Sequence, residues 1–107
     1  MTNIKYKRIM IAVSGEAMRG ERESGVSLDA VKAVAEQIKS VYTQHVQIAI
    51  SVGGNNIFKS SLAYKEGFDR TTADYMAMMA TVMNGLTLQD ELEKMGVPTR
   101  MQSALQM

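Results

Sequence analysis

Two short stretches of small residues carry the chemistry this sequence can offer. Ser14-Gly15-Glu16 follows the apolar run IMIAV, residues 9–13, and Gly53-Gly54-Asn55-Asn56 follows VQIAISV, residues 46–52. Glycine lets backbone N–H groups come close to an anion, and neighbouring N–H groups form a nest for phosphate. In open α/β sheets ligands sit at the carboxyl ends of strands, and both stretches stand at such ends. The alternative, a pair of ordinary strand-to-helix turns, stays open on these residues alone. Neither stretch is a standard phosphate motif: there is no GxxxxGK followed by Ser or Thr, and no GxGxxG after the first run. The first turn also lacks a cation, because Ala12 stands two residues before Ser14.

Other reactive side chains are few. There is no cysteine, which excludes disulfides, thiolate nucleophiles and cysteine metal sites. The single histidine, His45, lies in a polar connection and reads as a solvated loop residue. No cluster of His, Cys and carboxylates has metal-ligand spacing, so no metal site is expected. Asp74 is more informative. It sits inside a helical stretch rich in Met, Ala and Thr, where a charge must lie near an end or be partnered; on the residues alone it reads as a helix cap.

These residues need a framework to position them. The chain of 107 residues is one domain in size, and a hydrophobic content of 46% suits a globular core. Twelve basic against 11 acidic residues give a net charge of +1, which argues against a general nucleic-acid or membrane-surface role. The polar N-terminus has no secretory signal, and Asp74 and Asn84 interrupt the longest apolar helical stretch, so no membrane span is expected and the cytoplasm is the default. The ten methionines read as flexible core filling.

Residues 7–13 read as a strand, and SGEAMRGERESGV as a loop. Residues 27–42 read as a helix with Ser27 as N-cap. Its apolar side carries Leu28, Val31, Val34 or Ala35, Ile38 and Val41 or Tyr42, with Lys32, Glu36 and Lys39 opposite. A second strand covers 46–52, and 57–67 is a short helix or compact loop. A long helix follows over 70–95, with Met76, Met79, Met83 and Leu86 on one face and Gly85 able to kink or split it. Gly96 reads as its C-cap and Pro98 as a stop. Residues 99–105 read as a third strand with weak alternation. The order strand, helix, strand, helix, strand implies right-handed crossovers and a parallel sheet. The open sheet edge then needs cover from an oligomer or from further residues.

Taken together, YKRIMIAVSGEAM, VGGNNIF and ADYMAMMATVMNGLTLQDELEKMGVPTRMQSA resemble bacterial uridylate (UMP) kinases, of the amino-acid-kinase fold. The ATVMNGL stretch with a preceding Asp is the most specific part. The similarity runs from about Tyr6 to Met107 and covers approximately the first half of the family's length. It implies an α/β, three-layer α/β/α arrangement with a mainly parallel sheet, here the N-terminal part of that fold. Residues 1–107 are then a single truncated domain, the nucleoside-monophosphate-binding half. The implied reaction is transfer of the terminal phosphoryl of ATP to UMP, giving UDP, with Mg²⁺ accompanying ATP. The implied partners are GTP and UTP as effectors, and either a homo-oligomer (a hexamer in the family) or a complementary C-terminal half. By resemblance, Ala12, Val13, Ser14 and Gly15 form the ATP-phosphate turn, and Asn55 and Lys59 stand where phosphates are touched. Gly54 and Asp74 match UMP-binding positions, Asp74 holding the nucleoside. Gly20 to Gly25 match the segment linked to GTP activation.

The departures from the family pattern fall on those same positions. Lys-x-Ser-Gly-Glu is Ala12-Val13-Ser14-Gly15-Glu16 here, and three glycines before Asn are Gly53-Gly54-Asn55. Phe-Arg-Gly is Phe58-Lys59-Ser60, and Gly-Asp is Ala73-Asp74. Phosphoryl transfer rests on positioning and electrostatic stabilisation. Losing one cation or donor at such a site costs roughly 100- to 1000-fold in rate, by analogy with oxyanion-hole losses. Lys59 keeps the charge of an arginine without its bidentate fork. The later half of the family's chain carries most of the ATP pocket. The expectation is therefore a kinase-like chain with weak or no turnover alone. Its alternatives are a non-catalytic nucleotide-binding or subunit-interaction fragment, and a decayed gene product.

Overall fold

A computed structural model describes residues 7–103. Strand β1 (Arg8–Val13) leads through Ser14 into a short helix α1 (Gly15–Arg19), then a loop and helix α2 (Leu28–Tyr42). Strand β2 (Gln47–Val52), helix α3 (Ser60–Lys65) and the long helix α4 (Arg70–Lys94) follow. β1 and β2 pair in parallel, in register from Arg8 opposite Gln47 to Val13 opposite Val52. A parallel pair needs a crossover, and α2 supplies it.

The caps explain where the helices begin. Ser14 Oγ accepts from Ala17 N–H at 3.1 Å and Ser27 Oγ from Ala30 N–H at 3.3 Å. Asp69 Oδ2 accepts from Thr72 N–H at 3.3 Å to start α4. Each satisfies a donor that the first turn leaves orphaned. The segment after Ser14, read as loop from its glycine and charge content, thus begins with five helical residues because the serine cap nucleates them. At the far end α4 closes on Met95, and Gly96 just beyond it takes a left-handed φ of 86°. The helix passes Gly85 without a break.

One face of the sheet is covered. Ile11, Val13, Ile48, Ile50 and Val52 pack into a cluster with Met18, Val31, Ala35, Ile38, Leu88, Leu92 and Val97. The opposite face, with Met10, Ala12, Ala49 and Ser51, is exposed. Two layers of the expected α/β/α arrangement are therefore present among the described residues.

Three expectations are corrected. Leu28 does not join the buried side of α2: it is 68% exposed at the first turn, ahead of the stripe Val31, Ala35 and Ile38. The methionines are mostly not core fillers. Met18 is fully buried, but Met10, Met76, Met78, Met79 and Met83 are exposed. The core-facing side of α4 is instead Ala73, Ala80, Asn84, Leu88 and Leu92, small or polar enough in its first half to be hard to see as a stripe. Finally, residues 99–103 form no strand, and 104–105 lie outside the described residues. The segment turns its groups to α4: Thr99 Oγ1 donates to Glu93 Oε1 at 3.2 Å, Gln89 Nε2 donates to the Thr99 carbonyl at 3.5 Å, and Met101 covers Gly85. No described helix is long and apolar enough to cross a membrane.

Candidate functional site

The two strand-end turns meet. Gly53 N–H donates to the Val13 carbonyl at 2.9 Å, continuing the ladder one step past the strands. Gly15 is buried where the turns touch; a Cβ there would lie 2.7 Å from Asn55 N and from Asn56 Oδ1. Gly54 presses against α4, where a Cβ would lie 2.8 Å from Thr81 N and 3.0 Å from Ala80 Cβ. No side chain fits at either point without moving backbone. The Asn55 and Asn56 N–H groups have no acceptor among the described residues. Such an arrangement has donors to offer an anion.

A buried amide pair holds this junction. Asn84, fully buried on α4, donates through Nδ2 to the Gly53 carbonyl and to Asn56 Oδ1, both at 2.7 Å. Asn56, also buried, donates through Nδ2 to the Gly25 carbonyl at 2.8 Å and to Asn84 Oδ1 at 3.2 Å. Gly25 N–H donates in turn to the Asn56 carbonyl at 2.8 Å. The second turn, the Gly20–Gly25 loop and α4 are thereby fastened together. Neither asparagine was singled out from sequence as a functional residue. The available signal was a lone Asn in an apolar helix, which a buried position makes costly unless it is hydrogen-bonded.

The remaining candidates lie in three places. Ala12 is on the exposed sheet face, opposite Ser51, and Val13 is buried in the core. Asn55 and Lys59 line a groove of about 470 Å³ between the second turn, α3 and the end of α1. Asp74 does not cap α4, since Asp69 does. It stands in the second turn of the helix and is partnered on both oxygens: Tyr64 hydroxyl donates to Oδ1, and Arg70 Nε lies 4.0 Å from Oδ2. The Arg70 guanidinium also lies 5.9 Å from the centre of the Tyr64 ring. Asp74 precedes Ala80 by six residues, about 9 Å along the helix axis. Ser14, Gly15 and Gly54 thus come together, with Asn55 beside them and Asp74 a short way along α4. His45 is exposed in a left-handed turn, φ 64°, away from these groups. No group of three or more His, Cys, Asp or Glu placed to hold a metal occurs among the described residues.

A parallel sheet covered by helices, with its strand ends meeting beside a helix, is the architecture of α/β proteins that hold ligands at the carboxyl ends of their strands. The family model of the Amino acid kinase family matches residues 7–107, and the chain belongs to that family. Two solved structures are similar. UMP kinase from Bacillus anthracis has a TM-score of 0.77 and 31% identity over 83% of this chain and 36% of its own. UMP kinase from Ureaplasma parvum has a TM-score of 0.79 and 34% identity over 90% of this chain and 40% of its own. The chain thus spans well under half the length of these relatives.

Proposed function

We propose that this chain is a UMP-kinase-like phosphotransferase module, built around the half that receives UMP. The observation that carries the reading is the junction at Gly15, where the two glycine turns meet and the second leaves its Asn55 and Asn56 N–H groups free, with Asp74 about 9 Å along α4 from the contact at Ala80. In this reading the Asp74 carboxylate accepts the nucleoside hydroxyls, with Tyr64 and Arg70 fixing its orientation. Gly54 lets the phosphate approach the turn backbone. Asn55 and Lys59 supply a polar and a cationic contact, and Ser14 and Gly15 shape the side facing the phosphates of ATP. Mg²⁺ enters with ATP, and no step is assigned to it. Ala12 leaves the turn without its cation, so turnover by the 107 residues alone is expected to be very low. A cytoplasmic location belongs with this reading, as do UTP as an effector and GTP acting at the Gly20–Gly25 loop, which Asn56 ties to the second turn.

The test is calorimetric titration of the 107-residue chain with UMP, with ATP in parallel. Specific UMP binding that is lost in Asp74→Ala supports the reading. A folded chain that binds no UMP sinks it.

A second reading has its own observation. Met76, Met79, Met83 and Leu86 recur at intervals of three and four on α4 and are exposed at 37%, 57%, 55% and 52%. That spacing is the seam by which helices pack on one another. It favours a subunit-interaction role, in a homo-oligomer or with a complementary half, in which nucleotide binding without turnover is sufficient.

A further inference from the structure

Strand β2 has one neighbour in the sheet, β1, so its other edge is open among the described residues. Gln47 N–H donates to the Lys7 carbonyl and Gly53 N–H to the Val13 carbonyl, both at 2.9 Å. Residues of a parallel ladder alternate in the side to which they bond, so Gln47, Ala49 and Ser51 face β1. Ile48, Ile50 and Val52 turn their N–H and C=O groups the other way, where no described group bonds them. A trough of about 820 Å³ runs beside this edge, with residues 97–100 on its far wall. Natural sheets blunt a free edge with lysine, proline or a bulge. β2 has none of these: its register is unbroken, and no charged residue or proline stands between His45 and Lys59. β1 differs, because Arg8, directly after Lys7, stands on its open edge.

We propose that the edge of β2 pairs antiparallel with the same edge of a second copy of this chain. The two-fold axis passes at Ile50, which lies opposite Ile50 of the second copy, with Ile48 opposite its Val52. These are the residues whose N–H and C=O groups are free, so each opposed pair exchanges two hydrogen bonds. On the exposed face the pairing sets Ala49 against Ser51 and Gln47 against Gly53, with no like charges and no bulky pair to clash. On the covered face Ile48, Ile50 and Val52 of the two copies meet, apolar against apolar. The strand is thus complementary to itself in hydrogen bonds, size and charge, which singles out a second copy as the occupant. Because β1 keeps its charged edge, association stops at a dimer with the strand order β1-β2-β2-β1. Six residues a side is well short of the roughly 20–30 of a stable interface, so the dimer is weak and concentration-dependent. The proposal is independent of the nucleotide reading and uses a surface other than the methionine seam of α4.

The test is sedimentation equilibrium of the 107-residue chain over a range of concentrations, joined to cross-linking. The expected result is a monomer–dimer equilibrium with no larger species. The chain has no cysteine, so introduced ones report alone. An equimolar mixture of Ala49→Cys and Ser51→Cys, treated with oxidised glutathione, gives more disulfide-linked dimer than either variant alone, because this register brings the two positions within disulfide reach. Ile50→Pro removes an N–H that only the dimer uses, once in each copy. It weakens dimerisation roughly five- to a hundredfold, the range for two hydrogen bonds. Where that variant does not fold, the double substitution Ala49→Lys and Ser51→Lys, at two exposed positions, sets lysines directly opposite one another and weakens dimerisation roughly tenfold. A chain that is monomeric at every concentration overturns the proposal, as does a mixture that cross-links no better than its parts. Association that survives the two lysines but is lost in Met79→Glu belongs to α4 and overturns it too.

Discussion

At the end of β1, Ser14 commits its hydroxyl to Ala17 N–H and remains exposed. At the end of β2, Asn56 is buried and its amide bonds to Gly25 and Asn84, while the N–H groups around it stay free. The two turns hold equivalent places in the sheet and both are made of small polar residues. In the first the side chain organises its own helix, a local task. In the second the side chains fasten distant segments, and the backbone is left for a ligand. Position at a strand end therefore does not say which atoms of a turn face chemistry. The hydrogen bonds already made decide that.

The largest effect expected from breaking this contrast is at Asn84. Asn84→Ala removes the donor to the part-buried Gly53 carbonyl and to the buried Asn56 Oδ1, and removes the acceptor of Asn56 Nδ2. Unsatisfied buried groups cost about 1–3 kcal/mol each, so a loss of about 3 kcal/mol is expected in urea unfolding. UMP affinity should fall with it, because the second turn is no longer fixed. A loss under about 0.5 kcal/mol, the range for an indifferent surface change, shows that the clasp is dispensable. Gly15→Ala comes next. The added Cβ meets the Asn55 backbone at 2.7 Å, and overpacking of this kind costs about 1–3 kcal/mol. Because the displaced atoms belong to the second turn, the amide signals of Asn55 and Asn56 should shift more than those of Ser14. Shifts confined to the first turn contradict the contact.

Much of the frame was legible in the sequence for physical reasons. β1, α2, β2 and α4 have apolar patterns of the right period, and Ser27 and Gly96 mark helix ends by chemistry that acts locally. What was not legible depends on contacts between distant segments. Met76, Met79 and Met83 have the pattern of a buried face, yet the sheet packs against Leu88 and Leu92, and the second turn comes close to α4 at Ala80 and Asn84, where small or polar residues leave it room. The pairing of Asn56 with Asn84 spans 28 residues, and no local pattern encodes it. The segment 99–103 has too little alternation to declare itself, and its bonds go to α4. For the site, the glycine turns could be seen as candidates. That they meet at Gly15 could not, nor that Tyr64 holds Asp74 or that Arg19 and Lys59 line one groove.

The smallest effect separates the two tasks open to Ser14. As an N-cap it satisfies one donor of a five-residue helix, so Ser14→Ala should cost about 1 kcal/mol. For a domain of this size that is a fall in Tm of roughly 4–8 °C. Ser14→Asp sharpens the result, because aspartate caps as well as serine but places a negative charge beside the junction. If the hydroxyl only caps, stability ranks serine and aspartate together above alanine. If the turn also faces phosphate, pyrophosphate or ATP affinity ranks differently, with Ser14→Asp the weakest of the three. A common order in both measurements shows that the first turn acts on ligands only by folding α1. Opposed orders show that one exposed serine both starts a helix and borders the anion, the role that the second turn divides between its buried side chains and its free backbone.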